Sequence, residues 1–445
     1  MSYWQKLTKG SINRQIFGAV FTVAFFTAGV KLAAIAKEMV VAWRFGTSAD
    51  LDAFFIALII PSFAINVIAE SLNAALIPTY IRVRDKSGIK QAHQLFSSAT
   101  LCSILLLILA SFLIAGTAPL YLKAIAPSLS ATQINLTIKL LWIITPIITL
   151  SGIRTIWGAV LNAGEKFAAV AIAPVIVPGI TMMLLIMMTS WGVFALAAGL
   201  VLGTLGELLL LGSILYRQKI PLKLNWYGFN SDLRCVIGQY IPTVAGALLI
   251  CSAMPIDQSM AAMLAPGSVA ALNYSNKLIA SPIGLMTTAL STAVIPYFSK
   301  MIAQDDWVGL QGTLRKYLGL IFAVTVPIAA GLILFSEPIV QLIFERGSFN
   351  GEDTQIVAAI QRFYALQIPF YLSNILVVRL INSLNQNHIL FWLSAANLTL
   401  NITLNYIFIK LIGIQGIALS TSIVYVFSFS FTLFFVRNRL TKKIL

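Results

Sequence analysis

The sequence predicts an all-α polytopic membrane protein: about twelve transmembrane helices in two parallel-repeat six-helix bundles around a central cleft, with both termini cytoplasmic. Three observations predict it. Of 445 residues, 59% are hydrophobic and 10% charged, too little polar surface for a soluble globule of this length. Apolar runs long enough to cross a bilayer recur along the chain. Landmarks of the first half return about 220 residues later.

Composition makes lipid the main solvent, where every backbone N–H and C=O must be satisfied within the chain, leaving helices or a closed barrel. Barrel strands alternate apolar and polar residues, whereas Ile104 to Ile114 and Val193 to Leu205 are apolar on nearly every face. Helical spans are expected to begin near Ile16, Asp52, Leu95, Thr137, Phe167, Trp191, Val236, Ser268, Tyr317, Thr354, Ile389 and Ile412. The first run is too long for a secretory signal and lacks a small-residue cleavage site, so it is expected to stay in the chain.

Orientation follows from the loops. Those on one side carry 19 Lys and Arg, including Lys6, Lys9 and Arg14 before the first span and Arg437, Arg439, Lys442 and Lys443 after the last; the opposite loops carry 5. The richer side is cytoplasmic. This asymmetry also accounts for most of the net charge of +15, so no nucleic-acid partner is expected.

The repeat sets the domains. Gly46, Leu51, Asp52 and Pro61 recur as Gly267, Leu272, Asn273 and Pro282; Ala75, Ile77 and Pro78 as Ala293, Ile295 and Pro296; Pro146, Leu161 and Asn162 as Pro369, Leu384 and Asn385. Each shift spans six helices, which keeps both copies in one orientation. One bundle is expected over residues 1–220 and a second over 221–445, the architecture of an alternating-access transporter.

Charged residues within spans are costly and normally face a cavity or a partner. Here they are Lys31, Lys37, Glu38, Glu70, Arg154, Glu207, Asp257, Lys277, Arg362 and Arg379. Lys31, Lys37 and Lys277 can line the cleft as a positive cluster suited to a pyrophosphate or other polyanion; alternatively Lys31 snorkels and Lys37 pairs with Glu38 or Glu70. Asn397, Asn401 and Asn405 share one helical face. With Asp257 and Thr421 they make either an oxygen-lined cation site or an interhelical hydrogen-bond seam. Pro61, Pro78, Pro282 and Pro296 are candidate hinges, or simple bends. Cys102, Cys235 and Cys251 have no paired spacing, and His93 and His388 lie in loops, so no metal site is expected. No HExxH, loop DxxD pair or phosphate-binding glycine loop points to an enzyme.

The stretch WRFGTSADLDAFFIALIIPSFAINVIAESLNAALIPTYIR from Trp43 to Arg82, and GSVAALNYSNKLIASPIGLMTTALSTAVIPYFSK from Gly267 to Lys300, resemble the MurJ (MviN) lipid II flippases of the multidrug, oligosaccharidyl-lipid and polysaccharide exporter superfamily. The resemblance covers residues 20 to 437. It implies a multi-pass protein of the bacterial inner membrane that moves undecaprenyl-pyrophosphate-linked muropeptide to the outer leaflet, its cleft basic residues holding the pyrophosphate. By position, Lys31, Lys37 and Lys277 fall where the family usually has arginines, Asp52 and Glu70 match its acidic positions, and Ile65 stands where a further basic residue is usual. Lysine keeps the charge but loses the bidentate fork. The expected substrate is therefore lipid II or another polyprenyl-pyrophosphate-linked glycan, such as an O-antigen or exopolysaccharide repeat unit. The chain ends after the twelfth span, where family members usually carry two further helices. A multidrug or cation antiporter of the same superfamily would want an acidic, aromatic-lined cavity. No cofactor is expected beyond coupling to a sodium ion or the membrane potential. The expected partners are the lipid-linked glycan and membrane lipids, and the expected state is a monomer.

Overall fold

The computed structural model describes the chain from Ile12 to Ile444 except 128, 165, 221–224 and 385; side chains at 12–21, 285, 288–297, 299–300 and 444 also lie outside the described residues. Lys6, Lys9 and Lys223, and the side chains of Arg14, Pro296 and Lys300, are therefore not placed. All regular structure among the described residues is helical. Ten helices among the described residues are long and apolar enough to cross a membrane: α2 (Ala49–Ser87), α3 (Ile89–Ile125), α4 (Ala131–Ala163), α5 (Phe167–Met187), α6 (Val193–Arg217), α7 (Ser231–Ala261), α9 (Trp307–Leu334), α11 (Gly351–Ser383), α12 (Asn387–Ile412) and α13 (Gln415–Lys443). Two more long helices, α1 (Ile12–Phe45) and α8 (Ser268–Ala303), stand at the first and eighth expected positions. A short α10 (Ser336–Phe344) precedes α11.

Helix ends and breaks follow from local chemistry. Ser130 opens α4 with a capping box, its hydroxyl accepting from Gln133 N at 3.3 Å while Gln133 Oε1 accepts from Ser130 N at 2.9 Å; Asn350 and Asp353 open α11 in the same way. Proline cannot donate, and its ring collides with the carbonyl four residues back. Accordingly α4 breaks between Ile144 and Pro146, α11 between Ala365 and Ile368 just before Pro369, and α7 between Cys251 and Ala253 just before Pro255. Pro146 and Pro369 are repeat partners, so both halves break at the same place. Pro61 is followed by a π-helical turn, Ile65–Ala69, whereas Pro78 and Pro282 sit inside unbroken helical runs.

The chain packs as two compact units. Unit one runs to Val41 and from Ala49 to Pro255; unit two comprises Ala42–Ser48 and the chain from Ile256 onward. The sequence boundary at 220/221 falls in the loop after α6, but Leu233 and Val236 at the start of α7 are buried in the unit-one core with Leu76, Phe96 and Leu211. The packing boundary therefore lies at the Pro255 break. In unit one α5 and α6 approach closely: a Cβ on Gly199 would lie 2.7 Å from Thr181 Cα, and one on Gly203 2.7 Å from Val177 Cα, the small-xxx-small contact that lets membrane helices meet backbone to backbone.

Unit two takes in the turn between α1 and α2. Ser348 N donates to Trp43 O at 2.8 Å, Ser348 Oγ to Arg44 O at 3.0 Å, Tyr274 Oη to Gly46 O at 3.2 Å, and the Thr47 hydroxyl to the Asp353 carboxylate. Gly347, at φ +63°, leaves room for the Trp43 carbonyl that any Cβ would strike. Tyr274, Phe344 and Phe349 stack beneath this turn with centroids 5.0 to 5.7 Å apart.

Candidate functional site

The polar site with the most complete geometry lies in unit two around Asp257, on the short helical segment after the α7 break. The carboxylate is buried, at 8% exposure, among uncharged groups. Asn405 Nδ2 donates to its Oδ1 at 2.6 Å, and the single Thr421 hydroxyl proton is shared between its Oδ2 at 3.3 Å and Ile417 O at 3.0 Å. Asn405 Nδ2 lies 3.4 Å from Asn401 Oδ1, and Ser420 Oγ donates to Asn401 O at 3.3 Å. Asn405 Oδ1 is buried without a hydrogen-bond partner. The four-residue spacing of Asn401 and Asn405 puts both amides on the face of α12 toward Asp257. Next to Asp257, Gln258 Nε2 donates to Asn273 Oδ1 at 3.2 Å.

Of the five residues expected to form a cation site, the fold brings Asp257, Asn401, Asn405 and Thr421 together and sends Asn397 elsewhere. Asn397 Nδ2 donates to Ser428 Oγ at 3.2 Å. Ser428 also accepts from Asn374 Nδ2 at 3.1 Å, and Thr432 Oγ1 donates to Asn374 Oδ1 at 2.9 Å. Thus α12 carries two polar groups: a hydrogen-bonded seam around Ser428 and an oxygen cluster around Asp257. Asp257, the carbonyl oxygens of Asn401 and Asn405, Thr421 Oγ1 and Ile417 O form a hard-oxygen donor set with one negative charge, which fits a hard monovalent cation; rotating the Asn405 amide would turn its orphan oxygen inward.

The residues expected to hold an anion are divided between the units. In unit one Lys37 is ion-paired with the buried carboxylate of its neighbour Glu38, and Lys31 is half-buried on the same helix. Asp52 is buried in the first turn of α2, and Glu70 is exposed just past the π-helical turn. Lys277 belongs to unit two, half-buried on α8, its carbonyl accepting from Ser281 Oγ at 2.9 Å. Pro61 is buried and Pro78 exposed on α2, Pro282 is half-buried on α8, and the Pro296 side chain lies outside the described residues.

Two pairings were not legible from spacing. Arg154 Nη1 lies 3.5 Å from Glu207 Oε2, joining α4 to α6, with the Glu207 side chain 3% exposed. Arg362 Nη2 lies 3.6 Å from Glu337 Oε2. Hydropathy shows each charge inside or beside a span, but sequence separation gives no partner.

Comparisons with known proteins agree with this architecture. A sequence profile of the family described as lipid II flippase MurJ matches residues 41–445. A probable lipid II flippase MurJ from Synechocystis sp. is 26% identical over 97% of this chain and 83% of its own length. One from Thermotoga maritima is 25% identical over 93% and 84%. A solved structure of lipid II flippase MurJ in an inward closed conformation superposes with a TM-score of 0.80 at 26% identity, over 93% of this chain and 87% of that one. An inward-facing multidrug resistance MATE family transporter shares the fold, with a TM-score of 0.75 at 12% identity over 94% and 98%.

Proposed function

The chain belongs to the lipid II flippase MurJ family, and on that premise we propose that it moves lipid II from the inner to the outer leaflet of the bacterial cytoplasmic membrane by alternating access. The observation that carries this reading is the family match across residues 41–445. In it the protein spans the membrane twelve times, through α1 to α9 and α11 to α13, with both termini in the cytoplasm. The 19 to 5 asymmetry of loop Lys and Arg supports that orientation.

Lys31, Lys37 and Lys277 are the residues proposed to neutralise the pyrophosphate. An ammonium acts as a compact point charge rather than a fork. At Lys37 the arriving phosphate oxygens compete with Glu38 for that charge, so substrate entry exchanges one ionic contact for another. The π-helical turn after Pro61 supports a hinge in α2, because such turns leave the ordinary hydrogen-bond ladder incomplete. The oxygen cluster of Asp257, Asn401, Asn405 and Thr421 is proposed to bind sodium, whose gradient would then bias the cycle.

Complementation tests the reading. In a bacterium depleted of its own lipid II flippase, the wild-type chain should restore growth and lipid II accessibility at the outer leaflet. Lys277→Ala should lose both at an unchanged membrane level. Failure of the wild type to rescue while present in the membrane would overturn lipid II as the substrate.

A further inference from the structure

In unit two the ends of α8, α11 and α13 and the start of α9 enclose a cavity of about 210 Å³ that the transport reading does not use. Its polar wall is Arg439, Lys443 and Ser383, and Ile302 and Leu440 supply apolar wall. Arg439 and Lys443 are four residues apart on α13, so one helical face presents both charges. Trp307 closes another side, with Lys443 Nζ 5.2 Å from its ring centroid. Among the described residues neither cation is in an ion pair. The carboxylate next to Trp307 in the chain, Asp306, is committed to capping α9, its Oδ1 accepting from Gly309 N at 2.8 Å. Two cations at one concave site attract an anion, and arginine with lysine is the donor set that suits phosphate.

The level of the pocket narrows the ligand. Four helices end or begin there, a tryptophan stands beside the charges, and the apolar wall continues down α13 into the span. On the topology proposed above, these helix ends lie where hydrocarbon gives way to headgroups, where tryptophan concentrates and basic pockets between helices hold acidic lipids. We propose that this pocket binds the phosphate of an anionic phospholipid headgroup, with Arg439 and Lys443 on the phosphate and Leu440 and Ile302 against the glycerol and first methylenes. The shared chemistry is that of a phosphate anion, and the membrane is the source the geometry favours.

The test is native mass spectrometry of the full chain released from nanodiscs of equimolar phosphatidylglycerol and phosphatidylcholine. The wild type should retain phosphatidylglycerol over phosphatidylcholine by roughly thirtyfold, as expected for two cations near a charged surface. Arg439→Gln with Lys443→Gln should retain both lipids equally. The neighbouring exposed variant Lys442→Gln should keep the preference, as should the charge-preserving pair Arg439→Lys with Lys443→Arg, which also reports that the region folds. A preference that survives the double glutamine variant, or a wild type that prefers neither lipid, overturns the proposal. Displacement of phosphatidylglycerol by millimolar inorganic phosphate, with the same dependence on Arg439 and Lys443, would assign the pocket to free phosphate and overturn the lipid source. The readout is binding rather than transport, so its failure would leave the proposed flippase activity untouched.

Discussion

Glu207 in unit one and Asp257 in unit two are both buried carboxylates within candidate spans, yet they keep different company. Glu207 has a guanidinium 3.5 Å away, so the chain supplies its counter-charge. Asp257 is met by an asparagine amide at 2.6 Å and a threonine hydroxyl at 3.3 Å, and among the described residues no lysine or arginine forms an ion pair with it. A carboxylate held out of water needs a partner. The comparison therefore separates a carboxylate neutralised by the protein from one surrounded by dipoles and spare oxygens, the one proposed to receive a cation from outside.

The largest expected effect comes from breaking the self-neutralised pair. Arg154→Ala strands the Glu207 carboxylate and should cost about 3 kcal/mol of stability, at the low end for a buried pair because the arginine side chain keeps 31% of its exposure. Adding Glu207→Gln should recover most of that loss in thermal unfolding of the detergent-solubilised protein. No recovery would mean that Arg154 acts through packing alone.

At the dipole-lined site the effect should depend on ions instead. Sodium at roughly 100 times its Kd should stabilise the wild type by about 2.7 kcal/mol relative to choline, and Asp257→Asn should abolish that increment while unfolding like the wild type in choline. Equal melting temperatures for the wild type in the two salts would remove the cation site and leave a hydrogen-bond seam.

The two polar groups on α12 sharpen the contrast further. Asn405→Ala should weaken the sodium-dependent increment, measured by the same salt titration, by about 1.5 kcal/mol, the lower end for a hydrogen bond to a charged group. The smallest change is expected from Asn397→Ala, which should cost about 0.6 kcal/mol, typical of an interhelical hydrogen bond in a membrane, and leave the sodium increment intact. Equal loss of the increment in both variants would merge the two groups into one site.

Much of this was legible in the sequence because it is local. Apolar runs of about 20 residues place spans without reference to any other part of the chain, and each of the ten candidate spans falls at an expected position. Pro146 and Pro369 mark where α4 and α11 break. The Asp257 neighbourhood was partly legible: spacing put the asparagines on one face of α12, but could not say that Asn397 lies far enough along that face to meet α13 at Ser428 instead. The Arg154 and Glu207 pairing had no sequence signal, since it depends on how α4 and α6 are rotated against each other. The close approach of α5 and α6 does have one, the four-residue spacing of Gly199 and Gly203, which hydropathy alone passes over.

The sequence by itself determined that the chain is helical, membrane-spanning and internally repeated, because hydropathy, proline punctuation and motif recurrence are properties of consecutive residues. Only the tertiary structure decided which polar groups meet. It drew the Ala42–Ser48 turn and the end of α7 into unit two, set Asn401, Asn405 and Thr421 around Asp257, and left Arg439 and Lys443 lining a cavity with no ion-pair partner among the described residues. The reason is that a side chain's partner is fixed by the rotation and register of packed helices. Those follow from close contacts hundreds of residues apart, such as Ser348 on Trp43 and Tyr274 on Gly46, rather than from the pattern within any one helix.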